Sequence, residues 1–172
     1  MALRSIRTIG DEILLRPSRE VTELTPRLKE LIGDMYDTLY EADGVGLAAV
    51  QVGVLRRIIV IDVGDGPITL INPRLLEKSG EQKGNEGCLS VPGKVGLVTR
   101  PNYVKILYYD ENMQPQELEA TELLARGICH ELDHLEGELY VDRVEGELKD
   151  VEEEEEENEG KGKGKGKGRG RK

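Results

Sequence analysis

The 172-residue sequence contains two histidines, His130 and His134, four positions apart in the segment GICHELDHLEG, residues 127–137. On a helix that spacing puts both imidazoles on one face, a turn apart, where they can share one ion. Glu131 projects about 100° round from His130. From there its carboxylate can reach a water at the ion without being a ligand itself. A third ligand has two candidates, Cys129 and Cys88. Adjacent residues of a helix do not face each other, so Cys129 cannot easily join His130 at one ion and reads as a small packed side chain. Cys88 sits among turn formers in NEGCLSVPG, residues 85–93, ahead of a strand. That placement can bring a thiolate to the helix from across the fold. Two imidazoles and one thiolate leave a fourth position open, as catalytic sites require. Gly127 lies on the same stripe as the histidines; it either leaves room for a substrate or permits close helix packing.

A second candidate is the loop GVGLAAVQVG, residues 44–53. Its G-x-G-x-x-A pattern, with Asp62 downstream, imitates a dinucleotide fingerprint, but here the loop follows a helix and leads towards a strand, the reverse of that context. Its glycines instead let backbone pass close to a ligand. Gln51 is then either a neutral amide able to donate to a developing oxyanion or an ordinary polar residue. The HExxH pattern also fits zinc peptidases. An extended metzincin pattern would place its last ligand at Tyr140, which fails, and a peptidase with a glutamate ligand would need Glu145 or Glu147. A structural metal domain, or a ribosome-associated binding module working through the charged C-terminal stretch, is the non-enzymatic alternative.

The elements that must position these groups are visible in the hydrophobic pattern. Leu28, Leu31, Ile32, Met35, Tyr36 and Leu39 recur at helical spacing over 26–42, with Thr25 as N-cap and Pro26 in the first turn. Strands are expected over 57–63, 68–71, 96–100, 103–109 and 117–120, separated by turn residues. Thr121 can cap a second helix running through the HELDH segment. This order, without a βαβ rhythm, implies a mixed α+β domain. No apolar run is long enough for a secretory signal or membrane span, and a cytoplasmic location with reduced thiols is expected. A net charge of −10 argues against a nucleic-acid-binding core. Residues 150–172 form an acidic block followed by alternating glycine and base, with eight acids and seven bases. With Val151 as its one apolar residue, this stretch is expected to be a disordered tail on a domain spanning 1–149. Its basic half could touch RNA or the ribosome surface, but a merely solvated polyampholyte is the favoured reading.

Taken together, GVGLAAVQVG, EGCLS at 86–90 and HELDH at 130–134 resemble, in order, the three signature motifs of bacterial peptide deformylases. GDEILLRPSREV near the N-terminus is similar to that family's opening segment, and the resemblance covers roughly residues 5–148. It implies a single domain of mixed, mostly antiparallel β-sheets packed around a central metal-binding HExxH helix. It also implies hydrolytic removal of the N-formyl group from formyl-methionyl nascent peptides by a monomer. Carried over by position, Cys88, His130 and His134 hold one divalent metal, usually Fe(II), with Zn(II), Ni(II) or Co(II) able to occupy the site. Glu131 is the implied acid–base, while Gln51 and the Leu89 N–H stabilise the oxyanion. Gly46 would bind extended substrate backbone, and Val45, Leu123 and Gly127 would line the methionine pocket. Asp133 and Arg100 would either orient the helix as a pair or form a surface salt bridge. Two features depart from the family: Cys129 stands where glutamine is frequent, and the charged tail extends beyond the usual core.

Overall fold

The computed structural model describes residues 2–152. Helix α1 (Pro26–Glu41) starts where the hydrophobic pattern expects it. Thr25 accepts a hydrogen bond from the Leu28 N–H at 3.2 Å, satisfying one of the donors a helix start leaves open. The buried side of α1 carries Leu31, Ile32, Met35 and Leu39, and also Asp34 and Thr38. Those two polar residues hold the N-terminal segment. The Ala2 N–H and the Arg4 Nε donate to Asp34 at 2.9 and 3.0 Å, and the Arg4 N–H donates to Thr38 at 2.9 Å.

The strands form two antiparallel sheets. In the larger, β1 (Gly46–Ala48), β2 (Ile58–Ile61), β3 (Ile68–Ser79), β6 (Tyr103–Tyr109) and β7 (Pro115–Thr121) lie in the order β1-β2-β3-β6-β7. In the smaller, β4 (Gln82–Cys88), β5 (Val91–Arg100) and β8 (Glu145–Asp150) lie in the order β4-β5-β8. Helix α2 (Glu122–Leu135) follows β7.

Strand β2 shows how the larger sheet is covered. Its IIVI run is buried throughout. Ile58 and Val60 pack with Leu31, Ile32, Met35 and Leu39 of α1, whereas Ile59 and Ile61 pack with Ala125, Ile128 and Leu135 of α2. Successive strand side chains point to opposite faces, so the two helices cover opposite faces of the sheet. A strand covered on both faces has no use for polar alternation. The smaller sheet has its own apolar cluster, in which Val91 and Val98 meet Tyr140, with Cys88, Val141 and Val144 packed against them.

Several elements differ from the sequence expectation. Strand β1 forms inside the loop at 44–53, and β5 begins at Val91 rather than at residue 96. Strand β3 continues past Ile71 to Ser79, through residues that are all exposed after Pro73 and irregularly registered against β6. Strand β4 forms through the Gly- and Asn-containing segment read as turn formers. Strand β8, exposed along its whole length, reaches Asp150, which pairs across from Lys94. Regular structure therefore includes the first three residues of the expected tail, Asp150 in β8 and Val151 and Glu152 in a helical conformation, and 153–172 lie outside the described residues. Among the described residues, no helix is long and apolar enough to cross a membrane.

Candidate metal centre

Helix α2 carries His130 and His134, both buried, on one face. Cys88 ends β4 and pairs with Val91 across the two-residue turn Leu89–Ser90, so its thiol sits at the tip of a hairpin. The Cys88 Sγ lies 3.3 Å from His134 Nε2. One ligand atom from each of Cys88, His130 and His134 falls within 4.8 Å of the others. With metal–sulfur and metal–imidazole bonds of about 2.3 and 2.1 Å, three atoms so spaced can meet one ion. Cys129 does not join them. It packs into the cluster around Ile59 and Ile61, where burial pushes its thiol pKa up.

Behind His130 lies a buried ionic network. Glu86 Oε1 is 2.5 Å from His130 Nδ1 and accepts from Arg100 at 2.6 Å. Its Oε2 accepts from Arg100 at 3.1 Å and from Arg126 at 2.9 Å. Arg100, only 4% exposed, also donates to Asp133 at 2.7 Å, and Asp133 in turn accepts from Arg143. The Arg100–Asp133 pair is thus part of a buried network rather than a surface salt bridge. Burial pushes the Glu86 carboxyl up, but hydrogen bonds from His130 and Arg100 more than offset that and hold it at about 2. Burial pulls the His130 ring pKa down, but hydrogen bonds with Cys88 and then Glu86 more than offset that and raise it to about 10, so without an ion it is charged. An ion would take the place of the Nε2 proton while the ionised Glu86 goes on accepting the Nδ1–H. Burial, and then the charge of His130, lower His134 to about 3, so it is a neutral imidazole. Among the described residues, none downstream completes a peptidase ligand set. The Tyr140 hydroxyl donates to the Lys94 carbonyl at 3.3 Å, and Glu145 pairs with Lys83 at 2.8 Å; Glu147 lies on β8, which is exposed throughout.

A cleft of about 550 Å³ opens beside these donors, with Glu131, Gly46, Gln51, Leu89, Val45, Leu123 and Gly127 in its lining. Every residue expected at the site from the sequence, His134 apart, lines it; His134 lies beneath, 1% exposed. Glu131 Oε1 is 3.9 Å from His130 Nε2, and its Oε2 is buried without a hydrogen-bond partner. Burial pushes this carboxyl up to about 7, against the pull of His130. A group near neutrality can both take and return a proton. Gly46 leaves room for that carboxylate: a Cβ there would lie 3.0 Å from Glu131 Oε1, close enough that the side chain would have to give by a few tenths of an ångström. Gly127 serves packing as well as the cleft: a Cβ would come within 2.7 Å of Ile61 Cδ1. Val45 and Leu123, 39% and 51% exposed, present apolar surface to the cleft.

Gln51 is held more tightly than its sequence suggested. Its Oε1 accepts the Ala48 N–H at 2.9 Å, while Nε2 donates to Ser90 at 3.0 Å and faces Cys88 Sγ at 3.6 Å. Glu86, Arg126 and Ser90 were not singled out from the sequence. Glu86 and Ser90 lie inside the EGCLS segment, and a buried acid two residues from a candidate ligand was the one available signal.

The family model for polypeptide deformylase matches residues 3–150. A peptide deformylase of Agathobacter rectalis is 64% identical over 151 residues, spanning 88% of this chain and 96% of that one. The crystal structure of a peptide deformylase from Synechococcus elongatus in complex with actinonin superposes with a TM-score of 0.80 at 46% identity, covering 82% of this chain and 78% of that one. The Thermotoga maritima peptide deformylase superposes with a TM-score of 0.82 at 39% identity, covering 84% and 99%.

Proposed function

The chain belongs to the polypeptide deformylase family, and from that premise we propose how its own residues carry the reaction. The enzyme is a hydrolase that removes the N-formyl group from the formyl-methionine of nascent polypeptides. Water adds across the amide, so the formyl carbon leaves as formate and the methionine nitrogen becomes a free amine. Cys88, His130 and His134 hold one divalent metal on α2, the helix around which the two sheets are arranged. The native ion is Fe(II), with Zn(II), Ni(II) or Co(II) able to replace it. When bound, the ion supplies Lewis-acid activation of water and of the formyl oxygen at neutral pH.

The remaining work falls to side chains and backbone. Glu131 takes a proton from the attacking water and returns it to the leaving nitrogen. The Leu89 N–H and the Gln51 amide stabilise the oxyanion; Gln51 exchanges its bond to Ser90 or its contact with Cys88 for that one. Gly46, on the edge strand β1, pairs with extended substrate backbone. Val45, Leu123 and Gly127 receive the methionine side chain. The protein works as a cytoplasmic monomer, its catalytic domain extending through Asp150.

The observation that carries this reading is the meeting of a thiol, two imidazoles and an unpartnered Glu131 oxygen at one cleft. The test is formate release from formyl-Met-Ala-Ser by anaerobically purified protein, with a metal assay alongside. Wild type should carry one ion per chain, and Cys88→Ala should lose both ion and activity. Glu131→Gln should keep the ion while kcat falls roughly 100- to 10,000-fold. A Cys88→Ala protein that retains its ion would return the site to the peptidase class.

A further inference from the structure

Arg126 stands one turn before His130 on α2 and lines the cleft, yet its guanidinium is buried and makes four hydrogen bonds. It donates to Glu86 Oε2 at 2.9 Å, to the Val98 carbonyl of β5 at 3.1 Å, and to the side chain and carbonyl of Gln82 on β4 at 3.3 and 3.4 Å. Glu86 in turn receives His130 Nδ1 through its other oxygen. We infer that Arg126 is a positioning residue for the metal centre, fixing Glu86 so that His130 presents Nε2 to Cys88 and His134. This rests on the ligand set proposed above.

The argument is one of anchorage. A carboxylate held at a single point pivots about its side-chain torsions, and the imidazole it orients pivots with it. Here α2 grips Glu86 on either side of His130. Arg126 reaches it directly from one turn before, and Asp133 reaches it through Arg100 from the turn after. Arg126 is also bound to strand carbonyls on both β4 and β5, so its own position is set by the smaller sheet. The relay Arg126–Glu86–His130 therefore references the ligand geometry to both the helix and the hairpin that carries Cys88. Arg100 alone would leave one end of that span loose. Outer partners of metal-binding histidines tune affinity as well as orientation.

The test compares Arg126→Gln, Arg126→Lys and Gln82→Ala with wild type, and includes Cys88→Ala. Readouts are the Zn(II) dissociation constant by chelator competition, the visible absorption of the Co(II)-loaded protein, and the circular dichroism melt. Arg126→Gln should weaken Zn(II) binding by about tenfold and alter the Co(II) spectrum. Arg126→Lys, which keeps a cation beside Glu86, should recover part of that loss. Gln82→Ala takes a partner from Arg126 without touching Glu86 and should stay within about twofold of wild type. A folded Arg126→Gln protein with wild-type affinity overturns the inference. So does a Gln82→Ala protein as weakened as Arg126→Gln, since the effect would then be general loosening. Should Arg126→Gln not fold, an Arg126→Lys protein with unchanged affinity and spectrum overturns it equally, and a weakened one supports it. Retention of the ion by Cys88→Ala identifies a different failure, that of the ligand set itself.

Discussion

Replacing Glu86 by glutamine keeps the side chain's shape and one acceptor oxygen but removes the charge that two buried guanidiniums share. Arg100 and Arg126 side chains are 4% and 10% exposed, so neither can turn to water for compensation. Two routes give the size of the effect. Holding a carboxyl at about 2 instead of an ordinary 4.5 corresponds to about 3 kcal/mol of native-state preference for the ionised form. Removing one partner of a buried ion pair costs about 3–5 kcal/mol in general. These describe the same interactions and are not additive. For a domain of this size, a loss of about 3 kcal/mol lowers Tm by roughly 6–12 °C. The sign of the pH dependence follows from the depressed pKa. The contribution is fully present above the unfolded value near 4.5 and is lost as pH falls through the folded value of about 2. Urea melts of wild type and Glu86→Gln should therefore differ by about 3 kcal/mol at pH 7 and converge in acid. Metal-free protein is used for the comparison, so that ion binding does not contribute. A difference below about 0.5 kcal/mol at pH 7, or one that does not shrink in acid, would refute the reasoning.

Two further substitutions probe separate parts of the molecule. Gly46→Ala places a methyl 3.0 Å from Glu131 Oε1 without demanding an unusual backbone angle. Activity on formyl-Met-Ala-Ser should fall about tenfold or more while Tm moves by only a few degrees; full activity would mean that Glu131 is not held against this glycine. Asp34→Asn weakens the tether of the N-terminal segment, because Asp34 accepts from the Ala2 N–H and from Arg4. The bond from the Ala2 N–H, foremost, lowers the Asp34 pKa even though burial opposes it. The tether's contribution is present above the ordinary carboxyl range and lost as pH falls through the lowered value. Hydrogen exchange at residues 2–9 should therefore be faster in the variant at neutral pH and converge with wild type in acid.

The chemistry of the site was more legible in the sequence than the scaffold around it. Spacing alone places His130, His134 and Glu131, because a helix converts sequence distance into angle. It also excludes Cys129, which packs into the core. Strand β6 is readable because Val104 and Ile106 alternate with less buried neighbours. Strands β4 and β8 are not, since they are held by backbone pairing with β5, β8 exposing every side chain and β4 burying only the charged one of Glu86. No hydrophobic period marks such a strand. Glu86, Arg126 and Ser90 escape for another reason. Each acquires its role from a partner roughly forty residues away in sequence, and contact across such a distance leaves no local pattern. Gln51 was located by its loop, but the bonds that hold its amide depend on where the hairpin turn folds back.

The position of Val151 has a practical consequence. This residue, just past the end of β8, contributes to the wall of the cleft. A bulky label or side chain at position 151 would therefore crowd the approach to the donors of α2, whereas one at Ala2, tied to Asp34 of α1 and outside the cleft lining, would leave that approach open.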